Sequence, residues 1–316
     1  MAVAFFFVLS GYSMTLGYKD RILRPDFSYK QYLTRRCIRF FPLHWLCLIA
    51  VLPLVILSFK PEQVPIFFIN ASLLQTWIPI HKVYFSFNWV SWYLADTMFF
   101  AIVFPIVFKW ILGCSTKGRI AIATGFTIVY VIVATLLPIE LRHAILYISP
   151  YMRLTDFVFG IFLALGYSEI KDKVKPLKNR YLWELIVFTC IILLVIESSL
   201  ISESTSFIAP VYWILVSVVI LSASLTSRDG GGILLENKYL LRLGDISFTI
   251  FLTHQIILRY TKFIFEKILH FENDIIYILL TLLLTLVVSV IVDKYILIPI
   301  TQWLTKRIQP SMTVRS

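Results

Sequence analysis

The chain has 316 residues, of which 59% are hydrophobic and only 15% are charged, and its mean hydropathy is +0.84. These values lie far outside the range of soluble globular proteins and exclude a soluble domain of any size. A formal net charge of +11 can indicate nucleic-acid binding, but the distribution of the basic residues along this chain fits membrane orientation better. The sequence therefore predicts a polytopic membrane protein with no nucleic-acid partner.

A helix needs about 20 mostly apolar residues to cross the hydrocarbon core of a bilayer. By this measure the chain is predicted to be an all-α, polytopic transmembrane bundle, and we expect a single domain over residues 1–316. The apolar stretch 65–77 is too short to span and is predicted to be interfacial. The nine predicted spans cover residues 2–17, 40–57, 90–112, 120–137, 152–167, 182–196, 208–225, 247–265 and 275–297.

The basic residues predict the orientation of these spans. Most of the 29 Lys and Arg follow the odd-numbered spans, and loops rich in Lys and Arg stay in the cytoplasm. We therefore expect a multi-pass protein of the cytoplasmic membrane with a cytoplasmic C-terminus. The same rule places the N-terminus outside the cytoplasm, although no export signal precedes the first span. We therefore expect a further span upstream of Met1.

Four cysteines, Cys37, Cys47, Cys114 and Cys190, lie within predicted spans or on the predicted cytoplasmic side. Disulfides are rare there, and all four are predicted to be unpaired. No spacing of Cys and His resembles a metal site, and no glycine-rich phosphate loop occurs. The sequence therefore predicts neither a metal nor a bound cofactor.

The segment before the second span carries a helix-start signal. Ser28 and Gln31 form a capping box, in which the Ser hydroxyl accepts from the N–H three residues later. Pro42 follows, and proline usually ends a helix. We expect a short cytoplasmic helix that begins after Ser28 and ends before Pro42.

Three arginines of that segment are candidates for binding a ligand. Arg35 and Arg39 are four residues apart, and Arg36 and Arg39 are three apart, so their guanidinium groups can converge on one patch of a helix. Such a patch suits a phosphate-bearing ligand. It equally suits anchoring to anionic lipid headgroups, and both interpretations remain open.

Asp96 and His254 are two of the ionisable residues that lie inside predicted spans. Asp96 lies about two turns into the third span, and His254 lies about two turns past Ser247 in the eighth. An ionisable group at that depth is costly unless it is paired or hydrated, which makes both residues candidates for a functional site. Each can equally be a hydrogen-bonded packing residue, although His is also the commonest acid–base group.

The fifth span begins with a charged pair. Arg153 and Asp156 are three residues apart near the external surface, where they can pair with each other or bind a polar acceptor. Ser149 precedes Pro150, a combination that predicts an N-cap followed by proline at the first helical position.

These segments, in this order, resemble acyltransferase family 3, a family of ten-span membrane proteins that O-acylate cell-surface sugars. The resemblance extends over essentially the whole chain. It rests on Phe6-Phe-Val-Leu-Ser-Gly-Tyr, on Arg35-Arg36 with Arg39 and Pro42, on Trp92-Tyr-Leu-Ala-Asp with Phe99 and Pro105, on Ser149-Pro with Arg153 and Gly160, and on Ser247-Phe-Thr-Ile-Phe-Leu-Thr-His254.

The resemblance implies transfer of an acyl group, usually acetyl from acetyl-coenzyme A, to a hydroxyl of a glycan or a lipid-linked sugar. The donor would bind from the cytoplasm as a co-substrate, with its phosphates held by Arg35, Arg36 and Arg39. Asp96, Ser149, Arg153, Asp156 and His254 would then bind the acceptor or have structural roles. The implied partners are membrane lipid, the acyl donor and the acceptor glycan.

This chain departs from the family pattern at three places. The family's essential His lies in a span that precedes the Phe6 motif and is not part of this sequence, Asp96 stands where Glu is usual, and His44 stands where Tyr is commoner. A sugar hydroxyl needs a base as it attacks a thioester. Three explanations of the missing His remain open. The sequence is a truncated form of an active enzyme, the protein is an inactive relative, or the site is rewired with His44 or His254 as the base.

Two other functions remain open. Polar residues in or beside the spans also fit a non-enzymatic carrier or flippase for a lipid-linked saccharide, although no internal repeat supports a transporter. A packing partner in a glycan-synthesis complex is the other alternative. It predicts that Arg35, Arg36 and Arg39 can be replaced without loss of function.

Overall fold

The computed structural model describes residues 2–56, 60–174, 180–200, 209–228, 236–270 and 273–308. Every element in these ranges is helical and none is a strand, so the predicted all-α class is confirmed. Two of the predicted cytoplasmic loops, residues 171–180 after the fifth predicted span and 226–244 after the seventh, lie partly outside the described residues, as do all residues after 308. The helices are α1 (Ala2–Ile22), α2 (Tyr29–Val55), α3 (Gln63–Ala71), α4 (His81–Tyr84), α5 (Ser91–Gly113), α6 (Thr116–Leu136), α7 (Ile139–Arg142), α8 (Pro150–Ile170), α9 (Arg180–Leu200), α10 (Ala209–Arg228), α11 (Lys238–Phe263), α12 (Asp274–Val292) and α13 (Ile298–Ile308).

Several of these helices have the length and composition of membrane spans. Four qualify among the described residues, and a fifth is obtained if Ile139–Ile148 and Pro150–Ile170, bent by 45°, are one broken span. Within α9 and α10 lie two shorter apolar stretches of described residues, Glu184–Ile196 and Tyr212–Thr226. The protein is therefore a helical membrane protein, and the number of nine spans stays a prediction.

The chain divides into two compact units, which we describe separately. Unit 1 comprises Met1–Phe27 and Ile102–Leu241, and unit 2 comprises Ser28–Ala101 and Arg242–Ser316. The sequence offered no boundary of this kind, and the prediction of a single domain over 1–316 stays a prediction.

Unit 1 is built on the close packing of α1 against α8. At their crossing Gly11 faces the backbone of Phe157, and Gly160 faces the backbone of Val8. A Cβ atom on either glycine would overlap a carbonyl oxygen of the other helix, so only glycine permits this approach. Small residues have the same use in other membrane helix pairs, where packing and not hydrophobicity drives association.

Unit 2 begins with α2, and here the expected short helix is wrong. Ser28 caps the helix as predicted, because its Oγ accepts from the N–H of Gln31 at 3.3 Å. The helix then continues through Pro42 and Pro53 to Val55. Each proline removes one backbone hydrogen bond, a loss that membrane helices tolerate when neighbouring groups compensate.

The chain between α2 and α5 is fixed to both α2 and α11. The indole Nε1–H of Trp45 donates to the carbonyl of Ala71 at 3.0 Å, which holds the end of α3 against α2. Residues 87–89 form hydrogen bonds with three residues of α11. The predicted interfacial stretch 65–77 is no span, since it forms only the nine-residue α3 and a single 3-10 turn.

Candidate functional site

The three arginines predicted to bind phosphate lie on the first turns of α2 in very different environments. The hydroxyl of Tyr32 donates to the carbonyl of Ala101 at 2.8 Å and anchors these turns within unit 2. Arg36 is only 7% exposed, and its guanidinium lies 5.4 Å from the centre of the Tyr32 ring. Arg35 is half-buried and Arg39 is exposed. The spacing that predicted one patch thus produces one buried guanidinium and two that solvent reaches.

Asp96 lies on α5 of the same unit and is completely buried. Its neighbours Ala95 and Thr97 are buried as well. A buried carboxylate carries a large desolvation cost, so it persists in a fold only where the surroundings compensate it or function requires it. Asp96 and Arg36 are thus two buried ionisable residues of unit 2, and their part in a functional site stays a prediction.

His44, one of the two candidate bases, is also completely buried in unit 2. Its Nε2 lies 2.8 Å from the carbonyl oxygen of Asn70. Because a carbonyl can only accept, Nε2 carries the proton and Nδ1 carries the lone pair. No described residue donates a hydrogen bond to that Nδ1 atom.

His254, the other candidate base, has the opposite tautomer. Its Nδ1 lies 2.6 Å from the carbonyl oxygen of Phe251, one turn earlier on α11, so Nδ1 carries the proton and Nε2 the lone pair. The side chain is half-buried, and its ring lies 5.7 Å from that of Phe251, which in turn contacts Tyr93. His254 therefore presents a basic nitrogen at a position that is only partly enclosed.

The sequence interpretation missed a set of buried amides and hydroxyls between α2 and α5. They share a location in unit 2, near-complete burial and a polar atom that no described residue pairs. A signal was present, because several Asn, Gln and Thr occur within a short apolar segment that was interpreted only as interfacial. The residues are Asn70, Gln75, Thr76 and Asn88.

Three residues on one face of α11 hold the segment that carries Asn88. Leu252, Gln255 and Arg259 follow one another at helical spacing. Arg259 donates to the carbonyl of Phe87 at 2.9 Å. The side-chain amide of Asn88 donates to the carbonyl of Leu252 at 2.9 Å. The backbone N–H of Trp89 donates to the side-chain oxygen of Gln255 at 2.7 Å. Phe87 has a φ of 56°, which is uncommon for a bulky residue. These bonds compensate that strain.

Arg153 and Asp156 pair with each other in unit 1, as one of the two interpretations expected. The guanidinium Nη1 of Arg153 donates to Asp156 at 2.9 Å, and its Nε donates to the carbonyl of Tyr147 at 2.8 Å. The indole N–H of Trp213, on α10, donates to the other carboxylate oxygen at 2.7 Å. This buried, well-satisfied network supports the structural role over acceptor binding.

Ser149 occupies the N-cap position of α8, and Pro150 the first helical position, as predicted. The predicted capping bond is absent, however. The hydroxyl of Ser149 donates instead to the carbonyl of Ile145 at 2.7 Å and so satisfies the end of the preceding helical segment. All four cysteines are free, as predicted.

Comparison with known proteins identifies relatives of the chain. The family model of the acyltransferase domain of acyltransferase family 3 matches residues 1–294. A curated relative, "Acyltransferase MdmB" from Streptomyces mycarofaciens, is 23% identical over 287 residues, which cover 82% of this chain and 68% of the relative. No solved structure matches the chain.

Proposed function

Because the chain belongs to acyltransferase family 3, we propose that it transfers an acetyl group from cytoplasmic acetyl-coenzyme A to a hydroxyl group of a cell-envelope or exported saccharide. The family match over residues 1–294 carries this proposal. The acyl group, the donor and the acceptor class follow from the resemblance.

The arginines of α2 would bind the phosphates of the donor. Arg35 and Arg39 are accessible and separated by four residues, about 6 Å along the helix axis. Guanidinium groups bind phosphate oxygens through charge-assisted hydrogen bonds, which are stronger than neutral ones. Arg36 would add positive potential from within the unit. On this proposal the nine spans and the cytoplasmic C-terminus are retained, and α2 begins on the cytoplasmic side, where the donor is found.

The reaction needs a base at the acceptor hydroxyl. The hydroxyl oxygen attacks the thioester carbonyl carbon, a carbon–oxygen bond forms, the carbon–sulfur bond breaks, and coenzyme A leaves as a thiol after taking up a proton. His44 and His254 each keep one nitrogen lone pair that could accept the hydroxyl proton. The family resemblance gives this role to a His of a further span.

The test is incorporation of label. Membranes that contain the full-length gene product, including any segment encoded in frame upstream of Met1, are incubated with acetyl-labelled acetyl-coenzyme A and a saccharide fraction from the same cells. We expect alkali-labile label in the saccharide, because an acetate ester is cleaved by base. Membranes without the protein are the control. Absence of label above that control in every fraction would overturn the proposal.

A further inference from the structure

Three neutral side chains of unit 2, His44, Asn70 and Asn88, are each oriented by a backbone carbonyl. A carbonyl oxygen only accepts hydrogen bonds, so the group that faces it must be a donor. His44 presents Nε2–H to Asn70 at 2.8 Å, Asn70 presents its NH2 group to the carbonyl of Ser86 at 3.1 Å, and Asn88 presents its NH2 group to the carbonyl of Leu252 at 2.9 Å. These bonds leave one acceptor atom on each side chain.

The three remaining atoms are His44 Nδ1, Asn70 Oδ1 and Asn88 Oδ1. All three side chains are completely buried, and no described residue donates to any of these atoms. Buried polar atoms in native proteins are almost always hydrogen-bonded, since an unpaired acceptor loses its bond to water without replacement. Three unpaired acceptors within one unit therefore call for a source of donors.

Hydrogen bonds and one turn of α2 connect the three side chains. His44 bonds directly to the backbone of Asn70. The thiol of Cys47, one turn after His44 on α2, lies 3.6 Å from the carbonyl oxygen of Leu252, and Asn88 donates to that same oxygen. Asn88 and the turn of α2 that follows His44 therefore meet at one atom. The three acceptors belong to one polar region and not to three separate defects.

The polar region extends towards the start of α5. The N–H of Ser91 donates to the carbonyl of Asn88 at 2.9 Å, and the amide of Gln75 donates to the hydroxyl of Ser91 at 3.2 Å. The other amide atom of Gln75 and the hydroxyl of Thr76 also lack a partner among the described residues. The region thus contains further polar atoms besides the three acceptor atoms of His44, Asn70 and Asn88.

We propose that this region binds a hydroxyl-rich ligand, whose O–H groups donate to His44 Nδ1, Asn70 Oδ1 and Asn88 Oδ1. None of the three side chains is charged, so a neutral hydroxyl suits them better than an ammonium, which would need a buried counter-charge. The proposal rests on the proposed function, in which this ligand is the sugar that accepts the acyl group. It identifies where in the chain that sugar is recognised.

The position of His44 fits this role. It follows Arg39 by five residues on α2, about 7.5 Å along the helix axis. Donor phosphates bound at Arg39 and acceptor hydroxyls bound at His44, about one and a half turns later, would lie along one helix. The imidazole of His44 has two polar ring atoms. One nitrogen can hold the Asn70 carbonyl while the other receives a ligand hydroxyl.

Two substitutions of His44 separate ligand binding from structure. The Oδ1 atom of Asn is bonded to Cγ, as the Nδ1 atom of His is. His44→Asn therefore keeps an acceptor at the position of Nδ1 but loses the hydrogen bond to the Asn70 carbonyl. In Gln, the terminal NH2 group lies one bond further out, so His44→Gln keeps the structural bond and loses the acceptor. Thr281→Val, which removes a buried unpaired hydroxyl elsewhere in unit 2, is the matched control.

The experiment measures equilibrium binding of labelled glucose, galactose, N-acetylglucosamine and rhamnose to the purified full-length protein, without any acyl donor. We expect wild type and Thr281→Val to bind at least one of these sugars equally well. His44→Gln should bind it on the order of tenfold more weakly, the usual effect of one hydrogen bond, while His44→Asn should stay within about threefold. If His44→Asn does not fold, deoxy analogues replace it: removing one hydroxyl should weaken binding to wild type but not to His44→Gln.

Two results would overturn the proposal. Binding of none of the sugars, or equal binding by wild type and His44→Gln, would mean that the acceptors are paired by ordered water only. The proposed function is judged separately from label transfer. If His44→Gln transfers the acyl group with an unchanged KM for the saccharide, the proposed function is supported and this site is not. If the protein binds sugar but transfers no acyl group, the site is supported and the proposed function is not.

Discussion

The indole N–H of Trp213 donates to the carboxylate of Asp156 at 2.7 Å, and that carboxylate also accepts from Arg153, so one side chain joins α8 to α10. All three side chains are buried. The arrangement explains why a charged pair is retained inside unit 1. Each partner would be an uncompensated buried charge without the other.

We therefore expect Asp156→Ala to destabilise the protein by about 3 to 5 kcal/mol, because it leaves the Arg153 guanidinium buried without a counter-charge. Glu169→Ala is the matched control. It removes an ion pair with Arg119 in which the Glu side chain is 58% exposed, and such pairs contribute about 0 to 1 kcal/mol. The fraction of protein that stays monodisperse after heating in detergent reports both effects. Equal losses in the two variants would show that the buried network does not stabilise unit 1.

The α1–α8 crossing gives a second prediction. Gly11→Ala and Gly160→Ala each insert a Cβ atom where the backbone of the other helix already lies, and overpacking of this kind typically costs about 1 to 3 kcal/mol. Gly17→Ala on α1 and Gly166→Ala on α8 are controls, because nothing lies within 4 Å of a Cβ atom at either position. Thermal stability in detergent should fall only for the first pair. A similar fall for the controls would point to helix propensity or lipid contact instead.

The donor site makes a third prediction. Arg39→Gln should raise the KM for acetyl-coenzyme A by on the order of tenfold, the usual effect of losing a charge-assisted hydrogen bond to phosphate. Lys30→Gln removes one cation from an exposed position on the same helix and should leave that KM unchanged. If both substitutions raise the KM equally, the effect is one of general surface charge. If neither does, the arginines do not bind the donor.

A fourth prediction concerns the segment held by α11. Arg259→Met removes the donor to the carbonyl of Phe87, whose positive φ needs support, and should speed amide hydrogen exchange in residues 85–90. Lys262→Met, on the same helix, removes an exposed cation paired with Glu266 at 3.5 Å. It should leave exchange in that segment unchanged. Unaltered exchange in Arg259→Met would show that other contacts fix the segment.

Local sequence signals predicted part of this structure. The helix start after Ser28 and the pairing of Arg153 with Asp156 depend on residues three apart, and the structure contains both. The early end at Pro42 was wrong, because a rule derived from water-exposed helices was applied to a helix with the length and composition of a membrane span. Proline alone does not determine where such a helix ends.

The polar region around Asn70 and Asn88 could not be predicted in this way. It arises from contacts between α2, the segment before α5 and α11, which are distant in sequence. No spacing along the chain encodes such contacts. The burial of Asn88 depends on the carbonyl of Leu252, 164 residues later. The family motifs identified the relevant helices but not the amide groups packed between them.

The most direct test of the account follows the acyl group and coenzyme A together. The purified full-length protein in lipid nanodiscs is given acetyl-coenzyme A with and without the cell's saccharide fraction, and both free thiol and alkali-labile acetate are measured. We predict saccharide-dependent thiol release that matches ester formation one to one. Movement of a saccharide across vesicles without any donor, together with no thiol release under any condition, would contradict the account and favour a carrier.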